Sequence, residues 1–185
     1  MEPESTQRTA LDDVREFLAG TVPLDVREVA GDELPEPYRS LLVHERDMTG
    51  ELQAFAGGAL HIRPLEVRRS GMLLQRRVLL VCERDGRAVE FGAIRIHLGG
   101  FAPAARAEVL ACRNPLGAIL RGHAMEHACR PRLFFELRGA ASLPAGFHAP
   151  NRATLFGRVN RIVDGRGALL ADVVEVLPRL DDVAG

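Results

Sequence analysis

Two adjacent arginines interrupt an otherwise apolar segment, Met72 to Cys82 (MLLQRRVLLVC). Side chains alternate along an extended strand, so Arg76 and Arg77 must point to opposite faces of a sheet. At least one of them therefore enters apolar surroundings, where a guanidinium without a partner costs several kcal/mol. The pattern indicates either an ion pair in the core or a cation that binds the carboxylate of a ligand.

The last apolar segment, Ala168 to Leu177, raises the complementary question for two acids. Asp172 and Glu175 fall on opposite faces of a strand, each among aliphatic neighbours. Burial disfavours the ionised form of such an acid unless an arginine compensates. A carboxyl group of this kind beside an arginine is typical of a proton-transfer or carboxylate-orienting site, but also of a core salt bridge. The residues alone leave both interpretations open.

A third feature is the segment Arg113-Asn114-Pro115-Leu116-Gly117. It predicts a helix with Asn114 as N-cap and Pro115 as first residue, so its first N–H groups could hold an anion. Histidines His123 and His127 follow at a spacing of four. We expect no metal there, because the glutamate follows Met125 rather than the first histidine, as the metalloprotease pattern would require.

The elements that must position these residues form an antiparallel pattern. Two hairpins, with turns at Arg84-Asp85-Gly86 and at 164–167, and no regular β-helix-β alternation predict an α+β fold. We expect one domain, 1–185, with a six-stranded antiparallel sheet and helices packed on one side. The predicted strands are 59–68, 72–82, 87–98, 132–138, 153–163 and 168–177.

Helices are predicted where apolar stripes begin at capping residues. Thr9 caps the first of them, which is expected to end before Gly20, and the segment 22–37 is interpreted as a Pro-rich and acidic connection. The other predicted helices are a short one ending near His44, one that follows Asp47-Met48-Thr49 and stops at Gly57-Gly58, one over 101–110, and one opened by Asn114.

Composition narrows the classes of partner. The net charge is -1, so no general attraction to nucleic acid or to an anionic membrane is expected. Cys82, Cys112 and Cys129 cannot all pair with one another. No secretory signal and no apolar stretch long enough to span a membrane are found, so we expect a cytoplasmic protein that is a monomer or a homodimer.

Several short motifs occur in the order in which the chorismate pyruvate-lyase (4-hydroxybenzoate synthase) family has them, and the chain resembles that family over about residues 41–178, after an N-terminal helical extension, 1–40. The motifs are Asp47-Met48-Thr49, Gln75 to Leu80, Pro115-Leu116-Gly117 with Ile119-Leu120, Gly157-Arg158, and Glu175-Val176-Leu177-Pro178.

The resemblance implies a function and a set of roles. Members of the family eliminate pyruvate from chorismate to give 4-hydroxybenzoate, without a cofactor. By the resemblance, Arg76 holds a substrate carboxylate, Leu116 offers its backbone N–H, Met48 packs over the ring, and Glu175 is the active-site acid. Gly117 lies beside Leu116 and is a further candidate.

Two positions depart from the family pattern. An ungapped count from Gly165 places Asp172, not Glu175, at the glutamate position. The family's second-hairpin arginine directly follows a glycine, whereas Arg95 lies three residues after Gly92. Asp172 and Arg95 are therefore kept as candidates.

Two further questions stay open at this stage. Arg158 and Arg161 could extend an anion pocket, although we expect them to be solvated. The alternative function is a non-catalytic domain that binds an aromatic carboxylate, as in the effector domains of some transcription regulators with this fold. The N-terminal helix is too short for a DNA-reading helix-turn-helix.

Overall fold

A computed structural model describes residues 9–18, 25–138, 143 and 154–180. In this part of the chain all strands join one antiparallel sheet in the order β1-β5-β6-β7-β4-β3-β2. The strands are β1 Asp25–Val29, β2 Leu60–Ser70, β3 Leu73–Cys82, β4 Ala88–His97, β5 His127–Arg138, β6 Leu155–Asp164 and β7 Leu169–Leu177. The α-helices are α1 Ala10–Phe17, α2 Tyr38–Leu42, α3 Met48–Ala56, α4 Pro103–Ala111 and α5 Leu116–Gly122.

Two hairpin systems meet in the middle of this sheet. Strands β2, β3 and β4 form one, strands β5, β6 and β7 form the other, and β4 pairs with β7 between them. The predicted turns are present, with positive φ angles at Gly86 and Gly167 that glycine adopts without strain. Pro64 lies in the edge strand β2 beside a register shift, as the sequence indicates. The α+β class and the antiparallel sheet are therefore confirmed.

The sheet has one strand more than the six predicted. Strand β1 lies in the segment that we interpreted as a connection, and it pairs with the outer side of β5. Its sequence, DVREV, is short and mostly exposed, so it carries little of the apolar signal by which a strand is predicted. Strand β5 begins at His127 rather than Arg132, because a register shift between Pro131 and Leu133 accommodates the proline that had suggested a break.

Helices cover both faces of the sheet, not one. The first face packs against α2 to α5, with Leu42, Leu52 and Leu120 among the residues fully removed from solvent. Helix α1 packs on the second face through Val14, Phe17 and Leu18. The prediction of one covered side was wrong because the N-terminal helix was assigned to an extension rather than to the core.

The N-cap prediction is confirmed at α1 and wrong at α5, and α3 begins at Met48, earlier than predicted. The Thr9 side chain accepts from the Asp12 N–H in a capping box, and Asp47 caps α3, which ends at a left-handed Gly57. At α5 the N-cap is Pro115, whose extended ψ of 146° makes Leu116 the first helical residue, so Asn114 is not the cap. The predicted ends at Ala19, Gly20 and Ala153 lie outside the described residues.

In residues 9–18, 25–138 and 154–180, no helix combines the length and the apolar character that crossing a membrane would require.

Alternation along the central strands separates the charged candidates. Residues Arg76, Glu90, Arg158 and Glu175 are buried, and on the first face they stand among the residues that pack against α3 and α5. Arg77, Arg95, Arg161 and Asp172 project from the second face, on the side of α1. The register of the sheet therefore places the first four residues on the face covered by α3 and α5, and the second four on the face covered by α1.

The junction of β5, β6 and β7 depends on a glycine. A Cβ at Gly157 would lie 2.5 Å from Cζ of Phe135 and closer still to the backbone oxygen of Glu175. We expect Gly157→Ala to lower the free energy of unfolding by about 1–3 kcal/mol, because the clash involves backbone that cannot turn away. Chemical denaturation followed by circular dichroism measures the change.

Gly99 provides the matched control for this substitution. A Cβ there meets nothing within 4 Å, so Gly99→Ala should change the free energy of unfolding by less than about 0.5 kcal/mol. Equal effects of the two substitutions would show that the close approach at Gly157 is not a packing constraint.

Candidate functional site

A cavity of about 60 Å³ lies between the first face of the sheet and the starts of α3 and α5. One ordered water needs roughly 10–15 Å³ on this scale, so the cavity has room for a small molecule of several heavy atoms. Its floor is apolar, with Val78, Leu80, Ile94 and Val173. The polar side chains that line it are Asp47, Thr49, Arg76, Glu90, His127, Asn160 and Glu175.

Arg76 enters this cavity from β3, as alternation with Arg77 predicts for one of the two. The residue is 3% exposed, and neither Nε nor Nη1 has a hydrogen-bond partner among the described residues. Its guanidinium interacts with the Cys112 thiol, a weak partner. Burial lowers the pKa of Arg76 from its ordinary value, which reflects how unfavourable the desolvated cation is.

Glu175 and Arg158 form an ion pair beside the end of α2. Arg158 is fully buried, so the expectation that it is solvated was wrong. Its Nε donates to Glu175, and its Nη1 donates to the carbonyl oxygens of Leu42 and His44, both at 3.0 Å. Strand β6 presents Arg158 directly opposite Glu175 in the register. Glu175, one of the two candidate acids, therefore lies in the cavity wall.

A second buried acid, Glu90, was not among the predicted site residues. It is 4% exposed, lines the cavity from β4, and its Oε2 has no hydrogen-bond partner in the described part of the chain. A signal was present: Glu90 stands between Val89 and Phe91 in an apolar strand, just as Glu175 stands between two valines. An acid among apolar neighbours in a strand, the pattern that identifies Glu175, therefore identifies Glu90 as well.

Desolvation sets the protonation of Glu90. Complete burial raises its pKa well above the ordinary value, the Glu175 carboxylate raises it further, and Arg158 lowers it by less. With Glu90 neutral and Arg158 paired with Glu175, the charge that stays uncompensated on this face is that of Arg76. Asp47, also in the wall, forms an ion pair with Arg121.

Unsatisfied polar atoms concentrate at this cavity. Seven buried side-chain nitrogen and oxygen atoms lack a hydrogen-bond partner among the described residues, and five of them belong to the first face here: two on Arg76 and one each on Glu90, Arg158 and Asn160. Buried polar groups are normally paired, because an unpaired one costs about 1–3 kcal/mol. Their clustering around one cavity is what a site awaiting a polar ligand would show.

The roof of the cavity comes from α3 and α5. Met48 and Leu116, both predicted site residues, are buried and line the cavity at the first residues of these helices. Gly117 lets the helices approach, since a Cβ there would overlap Asp47 and would lie 3.0 Å from the Thr49 hydroxyl. A glycine at this position is therefore a packing requirement of the roof.

The remaining candidates lie apart from the cavity. Arg95 projects on the second face, where it donates to Glu16 at 2.9 Å and its Cζ lies 4.9 Å from the Phe17 ring centroid. Asp172 pairs with Arg161 at 3.1 Å. Of the two acids between which the sequence could not choose, the register places Glu175 in the cavity wall and Asp172 on the opposite face.

The histidine pair does not share a helical face. Helix α5 ends at Gly122, so His123 lies after it and binds Glu108 at 2.9 Å, whereas His127 begins β5. His127 Nδ1 lies 2.8 Å from the carbonyl oxygen of Met125. No cluster of three or more potential metal-ligating His, Cys, Asp or Glu residues occurs within the part of the chain that the structure describes.

Comparison with known proteins identifies the fold and no more. No protein-family model matches the chain, and no curated protein matches its sequence. Among solved structures, PhnF from Mycobacterium smegmatis is similar with a TM-score of 0.54 and 13% sequence identity, over 90% of this chain and 93% of that one. The likeness shows that the two chains share one α+β fold over most of their length.

Proposed function

We propose that the protein binds a small molecule with a carboxylate group in the cavity, and that Arg76 holds this carboxylate. The observation that carries the proposal is a buried guanidinium with two donor atoms unpartnered among the described residues, at a cavity of suitable size. A ligand carboxylate would accept from this guanidinium and neutralise its charge. No protein carboxylate takes this place within the described chain, since Glu175 is engaged by Arg158.

The layout of the cavity indicates the shape of the ligand. Arg76 is opposite Ile94 and Glu90 is opposite Leu80 in the same strand pair, so they are separated by four residues, about 13 Å along the strands. The floor between them is aliphatic. A compact ring with a carboxylate at one end and a polar group at the other would meet the basic end, the apolar floor and the acidic end in turn.

A second candidate function is the elimination of pyruvate from chorismate. The observation in its favour is that the four residues to which the family resemblance gives roles, Met48, Arg76, Leu116 and Glu175, all line one cavity. In this reaction the C–O bond to the enolpyruvyl group breaks, a ring proton is lost, and the ring becomes aromatic. Arg76 would fix a carboxylate, and Glu175, oriented by Arg158, would exchange a proton at the leaving oxygen.

Replacing Arg76 should separate ligand binding from stability. We expect Arg76→Met to weaken the binding of 4-hydroxybenzoate by roughly 30-fold or more, since truncating one partner of a buried charge pair costs about 2–5 kcal/mol. The same variant should be at least as resistant to denaturant as the natural chain, because an unpaired buried cation disappears while the side-chain volume is nearly kept. Isothermal calorimetry and denaturation measure the two effects.

Arg77→Met is the matched control, since Arg77 neighbours Arg76 in sequence but lies on the opposite face and forms an ion pair with Glu66 at 3.4 Å. It should leave the affinity unchanged within about twofold. Equal affinity in the Arg76→Met variant and the natural chain would overturn the assignment of the carboxylate site.

The elimination reaction has its own test. If it takes place, incubation with chorismate should release pyruvate and 4-hydroxybenzoate in equal amounts, and Glu175→Gln should slow the release by about 10²–10⁴, the range for loss of an acid–base group. A coupled lactate dehydrogenase assay follows pyruvate, with Arg76→Met as the background. If the natural chain releases pyruvate no faster than the Arg76→Met variant, the elimination reaction is ruled out. The proposal that the cavity binds a carboxylate is not affected by that result.

A further inference from the structure

Glu90 is a buried titratable group of the cavity, and the proposed function uses its position but not its chemistry. Its Oε1 lies 3.1 Å from the position that a Cβ of Gly92 would occupy, so the carboxyl group extends along β4 over Gly92. Gly92 is opposite Glu175 in the register. The two carboxyl groups therefore meet near Gly92, two residues along β4 from Ile94, which is opposite Arg76. Glu90 Oε2 has no partner among the described residues.

The charge balance of the cavity depends on this one group. With Glu90 ionised, two acids would balance Arg76 and Arg158, and an entering anion would have no uncompensated cation to meet. With Glu90 neutral, a single positive charge remains, that of Arg76. Burial first, and then the charge of Glu175, raise the pKa of Glu90 and favour the neutral form.

We propose that Glu90 is a neutral hydrogen-bond donor in the cavity, and that the ligand is a monocarboxylate with an uncharged oxygen at the glutamate end. The inference rests on the proposed binding function and names the class of ligand for that same site. A hydroxyl group fits this end best, because it can accept from Glu90 and donate to Glu175 at once. A second carboxylate would face the Glu175 carboxylate without a free cation, so the inference weighs against chorismate, which carries two.

Three probes of similar size test the ligand class by calorimetry at neutral pH with the full chain. They are 4-hydroxybenzoate, benzoate and terephthalate, which place a hydroxyl, a hydrogen atom and a second carboxylate at the far end of the ring. We expect 4-hydroxybenzoate to bind about tenfold or more tightly than either of the others, since a charge-assisted hydrogen bond contributes roughly this factor.

Two variants at one position separate hydrogen bonding from volume. Glu90→Gln keeps a neutral donor and should hold 4-hydroxybenzoate within about threefold of the natural affinity. Glu90→Leu should weaken 4-hydroxybenzoate binding by about fivefold or more and reduce its preference over benzoate, because only the hydrogen bond to Glu175 then remains. Terephthalate binding as tightly as 4-hydroxybenzoate, or equal losses in both variants, would overturn the inference. If none of the probes binds to the natural chain, the proposed binding function fails instead.

A ligand-free measurement tests the neutral state of Glu90 independently. The pKa of Glu90 is higher in the folded protein than its ordinary value of 4.5, so the folded state holds a proton that the unfolded chain loses above about pH 4.5. The stability that this proton contributes is present below that pH and is lost as the pH rises towards the folded pKa. Glutamine does not titrate. The Tm of Glu90→Gln relative to the natural chain should therefore rise between about pH 5 and pH 8.

Other groups titrate or carry charge around Glu90, and the comparison of the two chains cancels their contribution. They are Arg76 from β3, Glu175 from β7, Arg158 from β6, His127 and Cys129 from β5, Asp47 at the start of α3, and His44. A Tm difference that stays constant or falls across this pH range would show that Glu90 is ionised in the folded protein and would overturn the inference.

Discussion

The cost of removing charge from water organises this molecule. Four buried charged residues on one face of the sheet, Arg76, Glu90, Arg158 and Glu175, meet that cost in three ways. Arg158 is compensated by Glu175 and by two backbone carbonyl groups, and Glu90 is driven towards its neutral form. Arg76 has the Cys112 thiol, which neither neutralises its charge nor satisfies its remaining donors. A carboxylate is the group that complements such a cation, which is the basis of the proposed binding function.

The register of the sheet turns this constraint into a site. Pairing of β4 with β7 puts Gly92 opposite Glu175, and pairing of β6 with β7 puts Arg158 opposite the same residue. A change of register by one residue would send every one of these side chains to the α1 face. Gly92 and Gly117 matter for the same reason, because Gly92 leaves room for the Glu90 carboxyl group and Gly117 leaves room for the start of α3. Gly157 lets the Phe135 ring and the backbone of β7 approach β6.

Much of this could be predicted from the sequence, and the limits have physical causes. Apolar periodicity and turn residues predict the antiparallel sheet and its hairpins, because these signals are local. Alternation shows that Arg76 and Arg77, and likewise Asp172 and Glu175, point to opposite faces, but it cannot say which face holds the cavity. Long-range strand pairing decides which face holds the cavity, and it also buries Arg158. No local sequence pattern records this pairing. The seventh strand escaped prediction because its partner, β5, lies about a hundred residues away.

Binding and folding are coupled in such a site. A ligand carboxylate that pairs with Arg76 would compensate a buried charge, so its binding would also raise the stability of the folded protein. The same coupling would make binding selective for charge. A neutral ligand would leave Arg76 unpaired, and a dianion would bring a second buried charge without a partner. A single cation between an apolar floor and a neutral acid can satisfy one carboxylate, and a dianion would require a further basic group within the cavity. Among the described lining residues that carry a fixed positive charge, Arg76 stands alone, which makes the number of carboxylates on the ligand the property that the architecture constrains most.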